Sequence, residues 1–150
     1  MAGKRLRILV VEDQSILALE IELVLRDLGH EVIGTATDLD HSLALASSEQ
    51  IDLALVDVNL TDGPTGPEIA RRLVADHGAV VIFLTANPEQ IPSCFSGAIG
   101  VMPKPFDDGL LRDVLAFAAN FVRNRELGPA PRQFRVAPWL LASPDQLDAC

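Results

Sequence analysis

Five positions in this chain carry side chains that could do chemistry together: the acidic pair Glu12-Asp13, then Asp57, Thr85 and Lys104. Each follows, directly or within two residues, on an apolar run. If those runs are parallel strands laid side by side, the five side chains gather at one edge. That edge lies outside the carboxyl ends of the strands, where open α/β sheets bind ligands. Three carboxylates crowded there repel one another, and a hard divalent cation bound through oxygen relieves the repulsion. Mg2+ suits, because it needs few protein oxygens and keeps water and phosphate oxygens for its other positions. Carboxylate, cation, hydroxyl and ammonium together can hold a transferring phosphoryl group, for which catalysis is mostly placement and charge neutralisation.

Each residue also has a plainer reading. Asp57 could simply open the turn that runs into Asp62-Gly63-Pro64-Thr65-Gly66-Pro67, as aspartate often does. Glu12-Asp13 could cap the first helix, Thr85 could be a strand-end hydroxyl, and Lys104 a solvated surface lysine. The combination, at four separate strand ends, is what points to a site.

The elements that must position these residues alternate along the chain. Arg7 to Val11 reads as a buried strand. Residues 14–28 form a helix dense in apolar side chains (Ile16, Leu17, Leu19, Ile21, Leu23, Val24, Leu25, Leu28), closed by Gly29. Glu31 to Ala36 is a second strand. Asp38 caps a second helix through about Ser48. The run 51–57, apolar apart from Asp52, is a third strand buried on both faces and ending on Asp57. Pro67 to His77 is a third helix, with Pro at its start and Gly78 after its end. Residues 79–84 form a fully apolar fourth strand.

The segment 86–97 holds at most a short helix, because Pro88 and Pro92 interrupt it and Ser93, Ser96 and Gly97 favour turns. A brief fifth strand, 98–102, leads to Pro103-Lys104-Pro105-Phe106, and a last helix runs from Asp107-Asp108 to about Arg123. Five strands alternating with helical segments imply a parallel sheet covered on both faces.

Composition bounds the function classes. The 150 residues carry a net charge of −9 and are 49% hydrophobic but only 5% aromatic, so the core is aliphatic. An acidic body argues against non-specific nucleic-acid binding and so against DNA as the partner. No apolar run approaches the roughly 20 residues that would span a membrane, and Glu12-Asp13 interrupts the only run near the start, which excludes a signal peptide. Two cysteines, Cys94 and Cys150, make no disulfide framework and suit a reducing cytoplasm. The organisation reads as one domain over residues 1–124. Residues 125–150 then form an apolar, Pro-containing tail, with no output domain and no helix-turn-helix pattern. Phe134, Val136, Trp139, Leu140 and Leu141 make that tail unusually apolar for a linker. It could dock a partner or pack on its own domain.

Over residues 5–123 the chain resembles the receiver domains of two-component response regulators, on the set Glu12-Asp13, Asp57, Thr85 and Lys104-Pro105. The resemblance implies a flavodoxin-like (CheY-like), doubly wound, five-stranded parallel sheet of order 2-1-3-4-5. It implies Asp57 as phosphoacceptor, with Glu12, Asp13, Asp57 and the backbone carbonyl of Asn59 holding Mg2+. Thr85 and Lys104 would contact the phosphoryl group, and the Lys104-Pro105 bond would be cis. The implied protein is not an enzyme in its own right, though it assists its own phosphorylation and dephosphorylation. Its implied partners are a sensor histidine kinase or phosphotransfer protein and an unknown downstream protein. It would signal through protein contacts or act as a phosphate sink or relay. Receivers often pair through the fourth helix, fifth strand and fifth helix, so a homodimer is also implied.

Two features depart from the family pattern. Val101 stands where receivers commonly carry Tyr or Phe, three residues before the lysine, and a valine has no ring to swing inward. The Pro-interrupted 86–97 segment predicts a loop or an irregular fourth helix. With Phe83-Leu84-Thr85-Ala86 and Pro103-Lys104-Pro105-Phe106, it resembles a sub-group of alphaproteobacterial receivers that includes stand-alone regulators and is often served by HWE-type kinases. Phosphorylation would be expected to order this segment.

Three other classes compete. A haloacid-dehalogenase-type enzyme needs a second Asp two residues after the nucleophile, where Asn59 stands. A flavin-binding flavodoxin needs a phosphate-cradling loop where Glu12-Asp13 would repel phosphate. An unphosphorylated interaction module of the same fold is the closer rival, and the complete acidic, Thr and Lys set speaks against it.

Overall fold

The computed structural model describes residues 5–141; the expectations placed on residues 142–150, among them Pro144 and Cys150, lie outside that range. Elements follow in the order β1 (Arg7–Val11), α1 (Ser15–Asp27), β2 (Glu31–Ala36), α2 (Leu39–Ser48), β3 (Leu53–Asp57), α3 (Gly66–His77), β4 (Val80–Thr85), β5 (Gly100–Pro103), α4 (Asp108–Asn124), β6 (Arg135–Val136) and α5 (Pro138–Leu141). The sheet order is β2-β1-β3-β4-β5-β6. The first five strands pair in parallel, and β6 joins β5 antiparallel.

The strands are apolar on consecutive residues because both faces are covered. Ile8, Val10, Leu53, Leu55, Ile82 and Leu84 point into one core with α1 and α4. Leu9, Val11, Ala54, Val56, Val81 and Phe83 point into the other with α2 and α3. This is the period-two alternation of a strand, with an apolar partner on each side. Local chemistry sets the helix ends. Asp38 accepts a hydrogen bond from His41 N (2.8 Å) at the start of α2, and Asp107 accepts one from Leu110 N (2.8 Å) at the start of α4. Gly78 closes α3 at φ 64°, where a side chain would be strained.

Two results differ from the sequence expectation or refine it. The sheet has six strands, not five. A bare β5 edge would leave N–H and C=O groups unpaired, and Arg135–Val136 from the tail pairs with Gly100 and Val101 instead. Between β4 and β5 there is no regular helix, as expected, but two single 3-10 turns, Pro88–Gln90 and Phe95–Gly97. The tail packs onto the body: Phe134 and Ala137 are buried, and Trp139 lies against both core layers. Among the described residues no helix is long and apolar enough to cross a membrane.

Candidate functional site

Parallel register brings the strand ends level. Val11 of β1 pairs with Val56 of β3, Asp57 with Leu84 of β4, and Thr85 with Pro103 of β5. Glu12 extends β1 by donating its N–H to Ala36 O (3.0 Å), and Lys104 N donates to Thr85 O (3.0 Å). The side chains of residues 12, 57 and 104 are therefore held by the ladder itself. The start of α3 crosses directly beneath Asp57. A Cβ on Gly66 would collide with the Asp57 carbonyl oxygen and stand 2.6 Å from Val58 Cα. Gly66 N donates to Val58 O (3.0 Å), so only a glycine lets the helix come this close.

Lys104 Nζ is 2.8 Å from both Glu12 Oε2 and Asp57 Oδ2. Glu12 is 1% exposed and Asp57 5%, so these are buried, charge-assisted contacts. Asp13 is the most open of the acidic trio, and carboxylate oxygens of Glu12, Asp13 and Asp57 lie within 4.8 Å of one another. Three carboxylates thus face one ammonium. Burial pushes the Glu12 carboxyl up from 4.5 to about 7, the Asp57 charge adds to the rise, and hydrogen bonding from Lys104 offsets part of it. For Lys104, burial works to lower the pKa, but the hydrogen bonds and charges of Asp57 and Glu12 outweigh it and hold the ammonium above its ordinary value. An oxygen-rich set with surplus negative charge fits a hard divalent cation.

The structure brings Glu12, Asp13, Asp57 and Lys104 into one cluster. Thr85 is buried at the end of β4, and its Oγ accepts from Asn87 N (2.9 Å). Asn59 presents its N–H toward Asp57 Oδ1 (3.4 Å) and donates its side-chain amide to Gln90 Oε1 (2.7 Å). The Lys104–Pro105 bond is cis. Sequence reasoning did not single out Asn87 or Gln90. The Thr85-Ala86-Asn87 spacing of a hydroxyl turn was a usable signal for the first, but the Asn59–Gln90 pair spans 31 residues and leaves no local trace. Of the apolar residues of the first helix, Ile16, Leu19 and Leu23 are exposed in the structure. Ile16 lines a groove of about 760 Å3, shared with Gln14, Leu17, Glu20, Lys104 and Phe106 among others, that leads to the site.

A parallel α/β sheet with this acid–lysine cluster at its strand ends defines a receiver, and residues 8–116 match the family described as response regulator receiver domain. The chain belongs to that family, the receivers of two-component signalling. It is 37% identical over 84 residues to the phyllosphere-induced regulator PhyR of Methylorubrum extorquens, covering 55% of this chain and 32% of that protein. It is 34% identical over 135 residues to the DNA-binding response regulator MtrA of Mycolicibacterium smegmatis, covering 87% of this chain and 56% of that one. The chain therefore spans only a third to about half of these longer relatives. Among solved structures it superposes on the receiver domain of Erythrobacter litoralis PhyR with a TM-score of 0.71, 26% identity and coverage of 85% and 96%. For the chemotaxis response regulator CheY4 of Vibrio cholerae the values are 0.68, 26%, 77% and 99%.

Proposed function

We propose that this receiver accepts a phosphoryl group on Asp57 from a sensor histidine kinase of the HWE type or from a phosphotransfer protein. The observation that carries the reading is the pairing of Lys104 with Asp57 and Glu12 beside Asp13, a buried carboxylate held next to a cation and an acidic pair. A carboxylate oxygen of Asp57 attacks phosphorus. The P–N bond to the donor histidine breaks, its electron pair returning to the imidazole, and a P–O bond forms. Lys104 turns from the carboxylates to the incoming phosphoryl charge. The Thr85 hydroxyl, which accepts from Asn87 N in the unphosphorylated chain, turns to donate its proton to a phosphoryl oxygen. Glu12, Asp13, Asp57 and the Asn59 carbonyl would hold Mg2+, which supplies the positive charge that lets an anionic phosphoryl group approach three carboxylates.

The exposed apolar side chains Ile16, Leu19 and Leu23 of α1, of which Ile16 lines the groove that reaches Lys104, form the surface on which the kinase docks. Apolar side chains clustered beside a reactive centre are a partner's landing surface rather than a random exposure. The phosphorylated chain signals through protein contacts or drains phosphoryl groups from its kinase, in the cytoplasm, with residues 125–150 serving as an appendage of the receiver. Intact mass after incubation with acetyl phosphate tests the reading. It requires a phosphoryl adduct that depends on Mg2+ and is missing in Asp57→Asn; a fixed interaction module would give none.

A further inference from the structure

The segment 131–141 does more than cap a sheet edge. Its Phe134 ring sits where a Cβ on Gly100 would be, with Phe134 Cε2 2.8 Å and Arg135 O 2.5 Å from that position. The same ring packs on Phe117, centroids 5.3 Å apart. Ala137 N donates to Ile99 O (2.8 Å), and Trp139 Nε1 donates to Ala98 O (2.7 Å). The segment is thus seated on β5 by a ring in a glycine notch, a two-residue ladder and an indole hydrogen bond.

Its last anchor is the end of the 86–98 loop, and the start of that loop is tied to the phosphoacceptor site. Asn87 N is held by Thr85 Oγ, and Gln90 by Asn59, which neighbours Asp57. Just before Ala98 the backbone passes through Phe95, Ser96 and Gly97, all at positive φ (55°, 49° and 86°). For Phe and Ser this is a strained conformation that persists only while its surroundings impose it. Val101, pairing with Phe83 of β4 on one side and Arg135 on the other, has no ring to carry a signal. The loop and the segment beyond it form a continuous chain of contacts from Thr85 to Trp139.

We propose that residues 131–141 are a latch over an interaction surface on the β5 edge, and that occupation of Asp57 releases it. When Thr85 Oγ turns to a phosphoryl oxygen, Asn87 loses its acceptor. The 86–98 loop then rearranges, Ala98 no longer meets the indole, and the latch lifts. The bared surface takes a partner segment of the same chemistry as the latch, an extended strand with an aromatic side chain for the Gly100 notch. This rests on the proposed phosphorylation of Asp57.

Trp139 is the chain's one tryptophan, so its emission reports the latch directly. The test treats the full chain with acetyl phosphate and Mg2+, and reads intact mass, Trp139 emission and acrylamide quenching on the same sample. A fluorescein-labelled peptide copying residues 131–141 is then added. The expected result is a phosphoryl adduct accompanied by a red-shifted, more quenchable Trp139 and by peptide binding, all absent in Asp57→Asn. Phe134→Ala should show the shifted emission without any phosphoryl donor. An adduct with unmoved Trp139, or a moved Trp139 that exposes no site for the peptide, overturns the latch while leaving phosphorylation intact. If no adduct forms, phosphorylation itself has failed and the latch falls with it.

Discussion

Gly66 lies against the main chain of Asp57 so closely that a methyl group on it would overlap the Asp57 carbonyl oxygen. The obstacle is backbone on both sides, which cannot swing away as a side chain could. Gly66→Ala should therefore destabilise the domain by about 1–3 kcal/mol, the usual cost of forcing an added carbon into packed structure. It should also slow phosphorylation, because α3 can retreat only by dragging the turn that aims Asp57. Denaturant unfolding and adduct formation measured together check this; wild-type behaviour in both would show that the close approach is not required.

Lys104 is hydrogen-bonded to two buried carboxylates. Lys104→Met removes that partner and leaves both charges under low-dielectric cover. Breaking a buried pair costs about 3–5 kcal/mol, and the residual solvent access of Lys104 puts this case at the low end. The loss should be larger at pH 8 than at pH 5, because at pH 5 Glu12 carries its proton and one fewer charge is left stranded. Urea midpoints at the two pH values decide it, and an equal loss at both would contradict the pairing.

The raised Glu12 pKa sets a pH window. The folded chain holds a proton on Glu12 up to about 7, whereas the ordinary value is 4.5. The folded state therefore binds the proton more tightly. Its contribution to stability is fully present below pH 4.5 and is lost as pH rises through about 7. Mg2+ bound by the same carboxylate must displace that proton, so binding at pH 6 should release protons and its affinity should climb toward pH 8. Calorimetry in buffers of different ionisation enthalpy reads the release directly. Glu12→Gln should abolish it, and a wild type that releases no proton would remove Glu12 from the cation site.

Ile16 and Leu19 are solvent-exposed on α1, so replacing them touches no core contact. Ile16→Glu and Leu19→Glu should leave stability within about 0.5 kcal/mol and leave acetyl phosphate labelling unchanged. Transfer from a histidine kinase should fall about tenfold for each roughly 1.4 kcal/mol of docking lost. A variant that slowed both donors equally would place the defect in the site and not in docking.

How much of this was legible beforehand follows from the range of each interaction. The gathering of Glu12, Asp13, Asp57 and Lys104 could be read because each ends an apolar strand, and a parallel sheet leaves its strand ends at one edge. The absence of a regular helix over 86–97 was readable from Pro88 and Pro92. The sixth strand was not, since Arg135–Val136 is too short to show a period and is a strand only because β5 offers it an edge. The Asn59–Gln90 and Trp139–Ala98 hydrogen bonds join residues 31 and 41 apart. Nothing in either local sequence announces the other. On α1, apolar composition was visible, but which side chains stay in water depends on where α4 stops covering the helix.

The central claim is that Asp57 is the residue phosphorylated. Borohydride reduction after acetyl phosphate treatment converts an aspartyl phosphate to homoserine, and peptide mass then shows where. Homoserine at position 57, formed only with Mg2+ present, is the predicted result. Label at another carboxylate, or none at 57 in a sample that carries a phosphoryl adduct, would contradict the account.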